Sequence, residues 1–545
     1  MNPEAPVRAR TQFDAWRAAV SRNAWQQDPH LQSLVEVHGY SSCVEALDSY
    51  GELVSDQLDQ WARQSNRDEN LPRLRRFDGQ GRRIEQVEFH PSYHQLGRTF
   101  YGTGAMARYA TPGREFETLA LVYLNAQNGE AGHCCPSACT AGLIKILQAS
   151  DAGVDDWLPR LLDPDYDSHF HGAQFLTEVQ GGSDVGANAL EARRDASGQW
   201  RLYGEKWFCS VIDAHLFLVT ARPAGNPTGT RGLRAFAVPR TVDGGVNEFH
   251  IRRLKYKLGT RSMASAELDF RGARAVPVGD FRTTVEVVLN TSRLYNAICS
   301  SGMMQRAWRE AFAYAQTREA FGRPILGFPT VARIVSRLQV EAYCARALTF
   351  LLASLSDDLA TGKAGPEEAS AFRMWVNLNK FWTSDSCTSA IRDAIEVLGG
   401  NGAIEEFSVL PRLLRDSIVC EAWEGGHNVL CAQVLKDSTK LGTHHAAFQW
   451  LESMGPSPEL TEAREIWDAL LDAPMDQQAA LVRDVAEQLR LRVQVHVLRA
   501  EGAHAASSPL LPSIIDAACS YIQPWDAQTF LQRASTAEAV LKASS

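Results

Sequence analysis

A short polar loop is the first place in this sequence where residue types and spacing could support chemistry. Residues 175–185 read FLTEVQGGSDV. The adjacent glycines Gly181 and Gly182 disfavour both helix and strand, because each loses much backbone entropy on folding. The hydroxyls of Thr177 and Ser183 stand on either side of them. Backbone N–H groups and hydroxyls in such a loop can cradle a phosphate or a flat ring, so the stretch predicts a ligand close to the backbone.

A strand-like segment with an aromatic ring and a hydroxyl follows this loop. Residues 204–210 read GEKWFCS. Phe208 and Ser210 are two positions apart, so on a strand they share one face. These two segments alone are equally compatible with a polar loop beside a half-buried strand.

A carboxylate in an apolar setting favours the chemical interpretation. Residues 420–430 read CEAWEGGHNVL, in what the periodicity predicts to be the last helix of a bundle, and Glu424 stands beside Trp423. Apolar surroundings disfavour the charged form of a carboxyl and raise its pKa toward the range useful for a general base. We therefore expect Glu424 to accept a proton.

Six segments, in this order, resemble the acyl-CoA dehydrogenase family. They are FLTEVQGGSDV, GEKWFCS, KYKLGTRSMASAELDF, YAQTREAFGRPI, EVLGGNGAIEE and RDSIVCEAWEGG. Each segment alone is weak evidence, but the ordered set covers roughly residues 85–440. The variants TE-x-QGGSD, KWF-x-S and WEG-x-x-N resemble the AidB branch of that family. So do RRFDGQGRRIEQVEFHPSYH, DYDSH and the helical extension past residue 440.

The resemblance implies FAD as the cofactor, bound without a Rossmann fold. This agrees with our rejection of GTGAMA as a dinucleotide fingerprint, because no strand precedes it and no βαβ unit surrounds it. The cofactor-binding residues implied by the match are Leu176, Thr177, Gly182, Ser183, Phe208, Ser210, Arg318, Phe321, Gly400, Gly425 and Asn428.

The match also assigns roles within this set. Thr177 corresponds to the hydrogen-bond partner of the pyrimidine edge of the flavin, and Ser183 to the residue at the pyrophosphate. Gly182 would leave room for the cofactor. Ser210 corresponds to the hydroxyl near flavin N5, and Phe208 to the aromatic ring packed on the flavin.

Other matched residues imply an oligomer and a substrate site. Arg318 and Phe321 in TREAFG, with Gly400 in EVLGGNG, correspond to elements that complete the cofactor site of a neighbouring subunit, which implies a homotetramer. Arg293 corresponds to a substrate-binding arginine. On a continuous helix these two arginines would be about 37 Å apart, so they would serve different ligands. Each arginine could instead be a solvated residue on a helix surface.

The resemblance places Glu424 at the position of the family's catalytic base. The base takes the α-proton of an acyl thioester while the flavin accepts the β-hydride. Gly426 and His427 depart from the common pattern. His427 could tune the pKa of the base or reshape the pocket, but a surface position at a loop is the favoured interpretation.

The segments that must position these residues change character along the chain. We predict an N-terminal helical domain over residues 1–173, with charged loops such as RLRRFDGQGRRIEQ, and a central antiparallel β-barrel over 174–285. Long amphipathic segments predict a C-terminal four-helix bundle over 286–440, followed by a helical extension over 441–545. The fold class is α+β and mostly α.

Composition excludes several classes of function. The net charge is −9, hydrophobic residues make up 45% of the chain, and no long apolar run predicts a membrane span. The N-terminal residues lack the pattern of a signal peptide, so we expect a cytoplasmic protein with its eleven cysteines reduced. In HCCPSAC no second ligand pair follows, so we expect buried thiols on a helix and no metal site.

Two functions remain open. The first is an FAD-dependent oxidoreductase acting on an acyl thioester, a carrier-bound metabolite or a related small molecule. The second is an AidB-like DNA-associated flavoprotein that protects against alkylation. From Lys436 to the end there are nine Lys and Arg against fourteen Asp and Glu, which disfavours binding to phosphates, although Arg490, Arg492 and Arg499 could form a local basic patch.

Overall fold

The internal contacts of the chain divide it into two compact units. The computed structural model describes residues 5–129, 132–150, 156–504 and 507–525. The first unit comprises Met1–Gly51, Asn296–Leu410 and Cys420–Ser545. The second unit comprises Glu52–Tyr295 and Pro411–Val419.

The N-terminal segment is helical, as predicted, with one hairpin. Its helices are α1 (Ala5–Val20), α2 (Pro29–Val37), α3 (Val44–Leu53), α4 (Asp59–Ser65), α5 (Pro91–Tyr101), α6 (Glu115–Ala126), α7 (Cys134–Gln148) and α8 (Leu158–Leu161). Strands β1 (Arg73–Phe77) and β2 (Arg83–Glu88) pair antiparallel. The GTGAMA segment begins directly after α5, so a helix and not a strand precedes it.

The hairpin corrects the prediction that RLRRFDGQGRRIEQ is a charged loop. Asp78 accepts hydrogen bonds from the backbone N–H groups of Gln80 and Arg82, both 2.8 Å, and closes the turn. Arg76 donates to the carbonyl oxygen of Ile251 (2.8 Å), and Arg83 donates to that of Asn247 (3.1 Å). These arginines donate to main-chain carbonyls of residues that are distant in the sequence, within the second unit. The local sequence pattern does not reveal such contacts.

Helix α7 confirms that HCCPSAC carries buried thiols on a helix. Cys134, Cys135 and Cys139 lie in its first two turns, and all three are buried. The helix is mostly apolar and buried along its length. These thiols therefore pack in the core of the second unit.

The central segment forms one seven-stranded sheet and a small separate hairpin. The strands are β3 (Gly172–Phe175), β4 (Glu191–Arg194), β5 (Trp200–Ser210), β6 (Leu216–Pro223), β7 (Arg234–Pro239), β8 (Thr241–Val242), β9 (Gly245–Val246), β10 (Phe249–Leu254) and β11 (Ser265–Asp280). Strands β8 and β9 pair only with each other, and the other seven form the sheet.

The sheet is mixed, which corrects the prediction of a purely antiparallel one. Strand β6 pairs parallel with both β3 and β4. The other pairings in the sheet are antiparallel, and the path β11–β5–β4–β6–β7 returns to β11. The long strand β11 makes this return because its first part pairs with β5 and its last part with β7. Alternating hydrophobicity predicts strands but does not reveal their direction, so the parallel pairs could not be read from the sequence.

The remaining chain is helical, as predicted. Its elements are α9 (Phe281–Thr283), a π-helical segment (Thr284–Leu289), α10 (Asn290–Thr317), β12 (Glu319–Ala320), β13 (Arg323–Pro324), α11 (Pro329–Ala360), α12 (Pro366–Leu398), α13 (Leu410–Ala422), α14 (His427–Leu441), α15 (Thr443–Glu452), α16 (Pro458–Asp472), α17 (Met475–Gly502) and α18 (Leu511–Tyr521). In the part of the chain that the structure describes, no helix combines the length and apolar character needed to cross a membrane.

The last predicted helix of the bundle is two helices. Helix α13 ends at Ala422 and α14 begins at His427, so Glu424 lies in a break and not on a helix. The two adjacent glycines that follow Glu424 disfavour a continuous helix here.

Candidate functional site

The polar loop after β3 is held by a buried ion pair that sequence reasoning missed. Glu178 accepts hydrogen bonds from Lys206 Nζ (2.7 Å) and from the backbone N–H of Ala189 (2.6 Å). Lys206, on β5, also donates to the carbonyl oxygen of Leu176 (2.9 Å) and is fully buried. Burial lowers the pKa of Lys206, and Glu178 opposes that shift. The sequence signal for this ion pair was the glutamate of TE in the first motif together with the lysine of EK in the second.

The two glycines of this loop have different surroundings. A Cβ on Gly181 would lie 1.9 Å from Asn188 Oδ1, so protein packing alone requires a glycine there. A Cβ on Gly182 would have only Thr177 Cγ2 nearby, at 3.5 Å. Gly182 and Ser183 are exposed, so this part of the loop has space in front of it within the second unit.

The loop and strand β5 are directly connected. The carbonyl oxygen of Thr177 accepts a hydrogen bond from the backbone N–H of Trp207 (2.9 Å). This bond brings Leu176 and Thr177 alongside the strand that carries Phe208 and Ser210. Phe208 is 54% exposed, which is unusual for a large aromatic side chain on a sheet. The structure thus brings these four predicted residues together in the second unit.

The hydroxyl of Ser210 belongs to a short hydrogen-bonded chain. Lys257 Nζ donates to Ser265 Oγ (3.1 Å), and Ser265 Oγ lies 3.0 Å from Ser210 Oγ. Ser265 Oγ also donates to Met263 Sδ (3.6 Å), so the hydroxyl of Ser210 can either donate to Ser265 or accept from it. Lys257 and Ser265 are further residues that the sequence analysis did not single out.

Glu424 lies in the first unit and has an unusual backbone conformation. Its φ is 59°, and that of Gly425 is 100°. A non-glycine residue in the left-handed region is strained and persists where its surroundings determine the conformation. Glu424 is half-buried. The strain agrees with the position of a functional residue.

His427 is buried, which corrects the expectation of a surface residue. It is 8% exposed, and its ring lies 4.8 Å from that of Phe381 on α12. Its Nε2 is 3.2 Å from Ser384 Oγ. Burial lowers the pKa of His427 to about 4, so the imidazole is neutral at physiological pH. A histidine next to two glycines gave no sequence signal for burial, because the helix that covers it is distant in the sequence.

A second carboxylate lies one turn before Glu424. Burial raises the pKa of Glu421, and the charge of Asp385 adds to that shift. Glu421, Asp385 and His427 offer ligand atoms within 4.8 Å of one another. Arg483 Nη2 lies 4.0 Å from Asp385 Oδ1, so a protein cation already provides counter-charge.

The residues expected to serve a neighbouring subunit also lie in the first unit. Arg318 directly follows α10 and donates to Gln12 Oε1 (3.3 Å). Phe321, at the turn of the β12–β13 hairpin, is 96% exposed and has a φ of 52°. Gly400 is exposed, with no heavy atom within 4 Å of the position of its missing Cβ. Asn428 is exposed and its Oδ1 accepts a hydrogen bond from Arg483 (3.2 Å).

Arg293 is not a solvated surface residue. It lies near the start of α10, in the second unit, and is buried. Its Nη1 is 3.4 Å from Asn290 Oδ1. A buried guanidinium agrees better with a binding or structural role than with the surface alternative.

Comparison with known protein families agrees with the order of these elements. The Adaptive response protein AidB N-terminal domain matches residues 16–168. The acyl-CoA dehydrogenase middle domain matches residues 173–273, and the acyl-CoA dehydrogenase C-terminal domain matches residues 281–438. The fold and the site therefore define an oxidoreductase of the acyl-CoA dehydrogenase type. The chain belongs to the acyl-CoA dehydrogenase family, in the branch that carries the AidB N-terminal domain.

Individual relatives support this assignment. The chain is 37% identical over 385 residues to the putative acyl-CoA dehydrogenase AidB of Escherichia coli (strain K12), covering 67% of this chain and 69% of that one. The crystal structure of Caenorhabditis elegans ACDH-11 in complex with C11-CoA has a TM-score of 0.84 at 23% identity, covering 95% of both chains. A glutaryl-CoA dehydrogenase from Mycobacterium smegmatis in complex with FADH2 has a TM-score of 0.53 at 21% identity, covering 64% of this chain and 86% of that one.

Proposed function

We propose that this chain binds FAD at the loop Leu176–Ser183 and oxidises an acyl thioester or a closely related metabolite. The observation that carries the proposal is the construction of this loop. Glu178 and Lys206 fix it from the buried side, while Gly182 and Ser183 remain exposed. The family is FAD-dependent, and FADH2 is bound in one solved structure of the same fold.

The residues of the second unit suit a flavin. The exposed ring of Phe208 offers a flat apolar surface for the cofactor, and Ser210 offers a hydroxyl on the same strand. Thr177 and Ser183 offer polar groups for the pyrimidine edge and the pyrophosphate. Bound FAD would supply a two-electron acceptor for the β-hydride of the substrate.

The chain's own contribution to the reaction is proton removal. Glu424 is proposed to take the proton from the α-carbon, so that loss of the α-proton and the β-hydride leaves a carbon–carbon double bond. The conformation of Glu424 and its place in AWEGG support this role. Arg293 is proposed to bind substrate, and its burial supports a defined partner. The C11-CoA bound to the Caenorhabditis elegans relative supports a thioester of coenzyme A as the first substrate to test.

The organisation of the whole protein is also part of the proposal. The four segments 1–173, 174–285, 286–440 and 441–545 are proposed as an N-terminal domain, a β-barrel, a four-helix bundle and an extension. The family matches change at residues 168–173 and 273–281, and the sheet pairings form a closed path, which supports these limits. A homotetramer is proposed because the nearly fully exposed Phe321 suits an interface. Analytical ultracentrifugation tests this, and a fully FAD-loaded monomer would contradict it.

FAD content is the first test of the proposed function. The purified protein should be yellow, with about one FAD per chain by the family's stoichiometry. Thr177→Val and Ser183→Leu each remove a polar partner in a tight site and should weaken FAD retention. A colourless protein that takes up no added FAD would refute the cofactor assignment.

Replacement of the two neighbouring glutamates tests the base. Glu424→Gln keeps the shape of the side chain but cannot accept a proton, so it should leave FAD bound and lower turnover by about 10² or more. Glu421→Gln is the matched control and should affect turnover much less. Anaerobic bleaching of the flavin by a panel of acyl-CoA esters provides the readout. Near-normal bleaching in Glu424→Gln together with its loss in Glu421→Gln would assign the base to Glu421.

A further inference from the structure

The C-terminal extension packs on helix α12, in the core of the first unit. The indole N–H of Trp375 donates to the carbonyl oxygen of Ala447 in α15 (3.0 Å), and that of Trp382 donates to Ala486 in α17 (2.9 Å). Both tryptophans are buried. They lie seven positions apart, so they mark one stripe along α12. The extension is therefore built into the core of its unit.

The loop that carries Glu424 also contacts α12, through a buried lysine. Lys380 Nζ donates to the carbonyl oxygens of Glu421 and Gly425, both at 3.0 Å. These two carbonyls lie on either side of Glu424. Because the left-handed conformation of Glu424 is unfavourable, contacts that fix its neighbours are needed to maintain it.

Arg483, on helix α17 of the extension, contacts the start of α14, directly after the same loop. Its Nη1 donates to Asn428 Oδ1 (3.2 Å), in the first turn of α14. Its Nε donates to Glu487 Oε1 (3.2 Å), and its Nη2 lies 4.0 Å from Asp385 Oδ1. The guanidinium carbon lies 5.4 Å from the ring centre of Phe381. One side chain thus joins the extension, the start of α14 and α12.

We propose that Arg483 is a positioning residue through which the C-terminal extension orders residues 423–428, which comprise the loop between α13 and α14 and the first two residues of α14. The extension then acts on the flavin site by holding the segment that carries Glu424, Gly425 and Asn428. The part of this inference that concerns FAD rests on the proposed function. The part that concerns the order of the loop does not.

The chemistry of arginine explains why this residue suits the position. A guanidinium can donate to several partners in one plane and can also lie over an aromatic ring. A lysine at this position would keep the positive charge but could donate hydrogen bonds to fewer partners at the same time. The side chain of Arg483 is 41% exposed, so solvent screens its ion pairs and the expected effect is moderate.

The experiment compares two arginines of the same helix. Arg483→Gln removes the contact with the loop. Arg499→Gln is the matched control, because Arg499 is 43% exposed and pairs with Glu459 inside the extension (2.7 Å). Hydrogen–deuterium exchange of the full-length protein without FAD reports the order of residues 423–429, and a fluorescence titration reports the dissociation constant for FAD.

Arg483→Gln should raise the exchange rate of residues 423–429 by about fivefold or more and weaken FAD binding about threefold or more, as expected for loss of a charged hydrogen bond. Arg499→Gln should leave both unchanged. Arg483→Lys keeps the positive charge, so it should recover part of the protection from exchange that Arg483→Gln loses. A purely structural role of the side chain would not require this recovery. If Arg483→Gln does not fold, the comparison of Arg483→Lys with Arg499→Lys replaces it.

Equal exchange of residues 423–429 in the Arg483 and Arg499 variants would overturn the proposal. Faster exchange without any FAD binding to the unmodified protein would leave the loop contact standing and refute only the cofactor assignment. Slow exchange in both variants with normal FAD binding would show that Lys380 and α12 alone order the loop, and would also overturn the role of Arg483.

Discussion

Two adjacent glycines of the loop proposed to bind FAD have different surroundings. Gly181 is required by packing, because a Cβ there would collide with the buried side chain of Asn188. Asn188 cannot easily move, since its Nδ2 donates to the carbonyl oxygen of Leu176 (2.6 Å). Gly182 has no such neighbour and is exposed. Packing therefore explains Gly181, whereas the open space at Gly182 agrees with the proposed FAD site.

Alanine at each glycine distinguishes these two roles. Gly181→Ala should lower the free energy of unfolding by about 1–3 kcal/mol, because a methyl group is forced into a packed site. Gly182→Ala should leave unfolding nearly unchanged and weaken FAD binding. Chemical denaturation and a fluorescence titration measure the two effects. Equal loss of stability in both variants would contradict this division.

At the scale of elements, buried histidines and a tyrosine collect where helix α5, the start of α7 and the segment before β3 meet in the second unit. The ring of Tyr101 lies 4.5 Å from that of His169 and 4.9 Å from that of His171. His133 lies 6.1 Å from Tyr101. Burial lowers the pKa of His133 and His169 to about 4. These imidazoles are therefore neutral in the folded protein near neutral pH.

The histidines predict acid-sensitive stability of the second unit. Their folded-state pKa of about 4 lies below the usual value of 6.5, so the unfolded chain binds more protons between these two values. The free energy of unfolding should fall as the pH falls from about 6.5 to about 4, by up to about 3 kcal/mol for each histidine.

Urea unfolding at a series of pH values measures this slope. His169→Gln should make it shallower by removing one of the groups that must gain a proton. His445→Gln, at an exposed position of the extension, is the control and should change the slope less, because it acts only through the pKa of its neighbour His444. A slope that is the same in both variants and in the unmodified protein would show that other groups control acid unfolding.

At the scale of the whole molecule, three arginines of the extension already have acidic partners. Arg490 contacts Glu341, Arg492 donates to Glu462 (2.9 Å) and Arg499 donates to Glu459 (2.7 Å). The excess of acidic over basic residues after Lys436 further disfavours the binding of phosphates. A basic patch at these three arginines would have to break its ion pairs to bind phosphates.

Any binding to duplex DNA should therefore be weak and lost at moderate salt. Affinity for DNA comes largely from neutralised phosphates, so arginines that already have acidic partners contribute little to it. Fluorescence anisotropy with a labelled duplex at low and physiological salt measures this. Tight binding that persists at physiological salt would contradict the prediction and indicate a basic surface outside the extension.

The sequence by itself determined the family and the order of its segments. The glycines of FLTEVQGGSDV, the strand GEKWFCS and the carboxylate of AWEGG are short local patterns. Such patterns can be recognised in the sequence without knowledge of the fold. They also located Thr177, Phe208 and Ser210, which the structure brings together through the bond between Thr177 and Trp207. Helices were equally predictable, because their periodicity lies in neighbouring residues.

Only the tertiary structure decided which distant residues support these patterns. Lys206 is 28 positions from Glu178, and Arg483 is 55 positions from Asn428, so neither contact has a local signature. The burial of His427 and the direction of β6 beside β3 depend on segments that meet only in the fold. Side-chain type and spacing report local backbone preference, whereas burial and ion pairing depend on the whole packed unit.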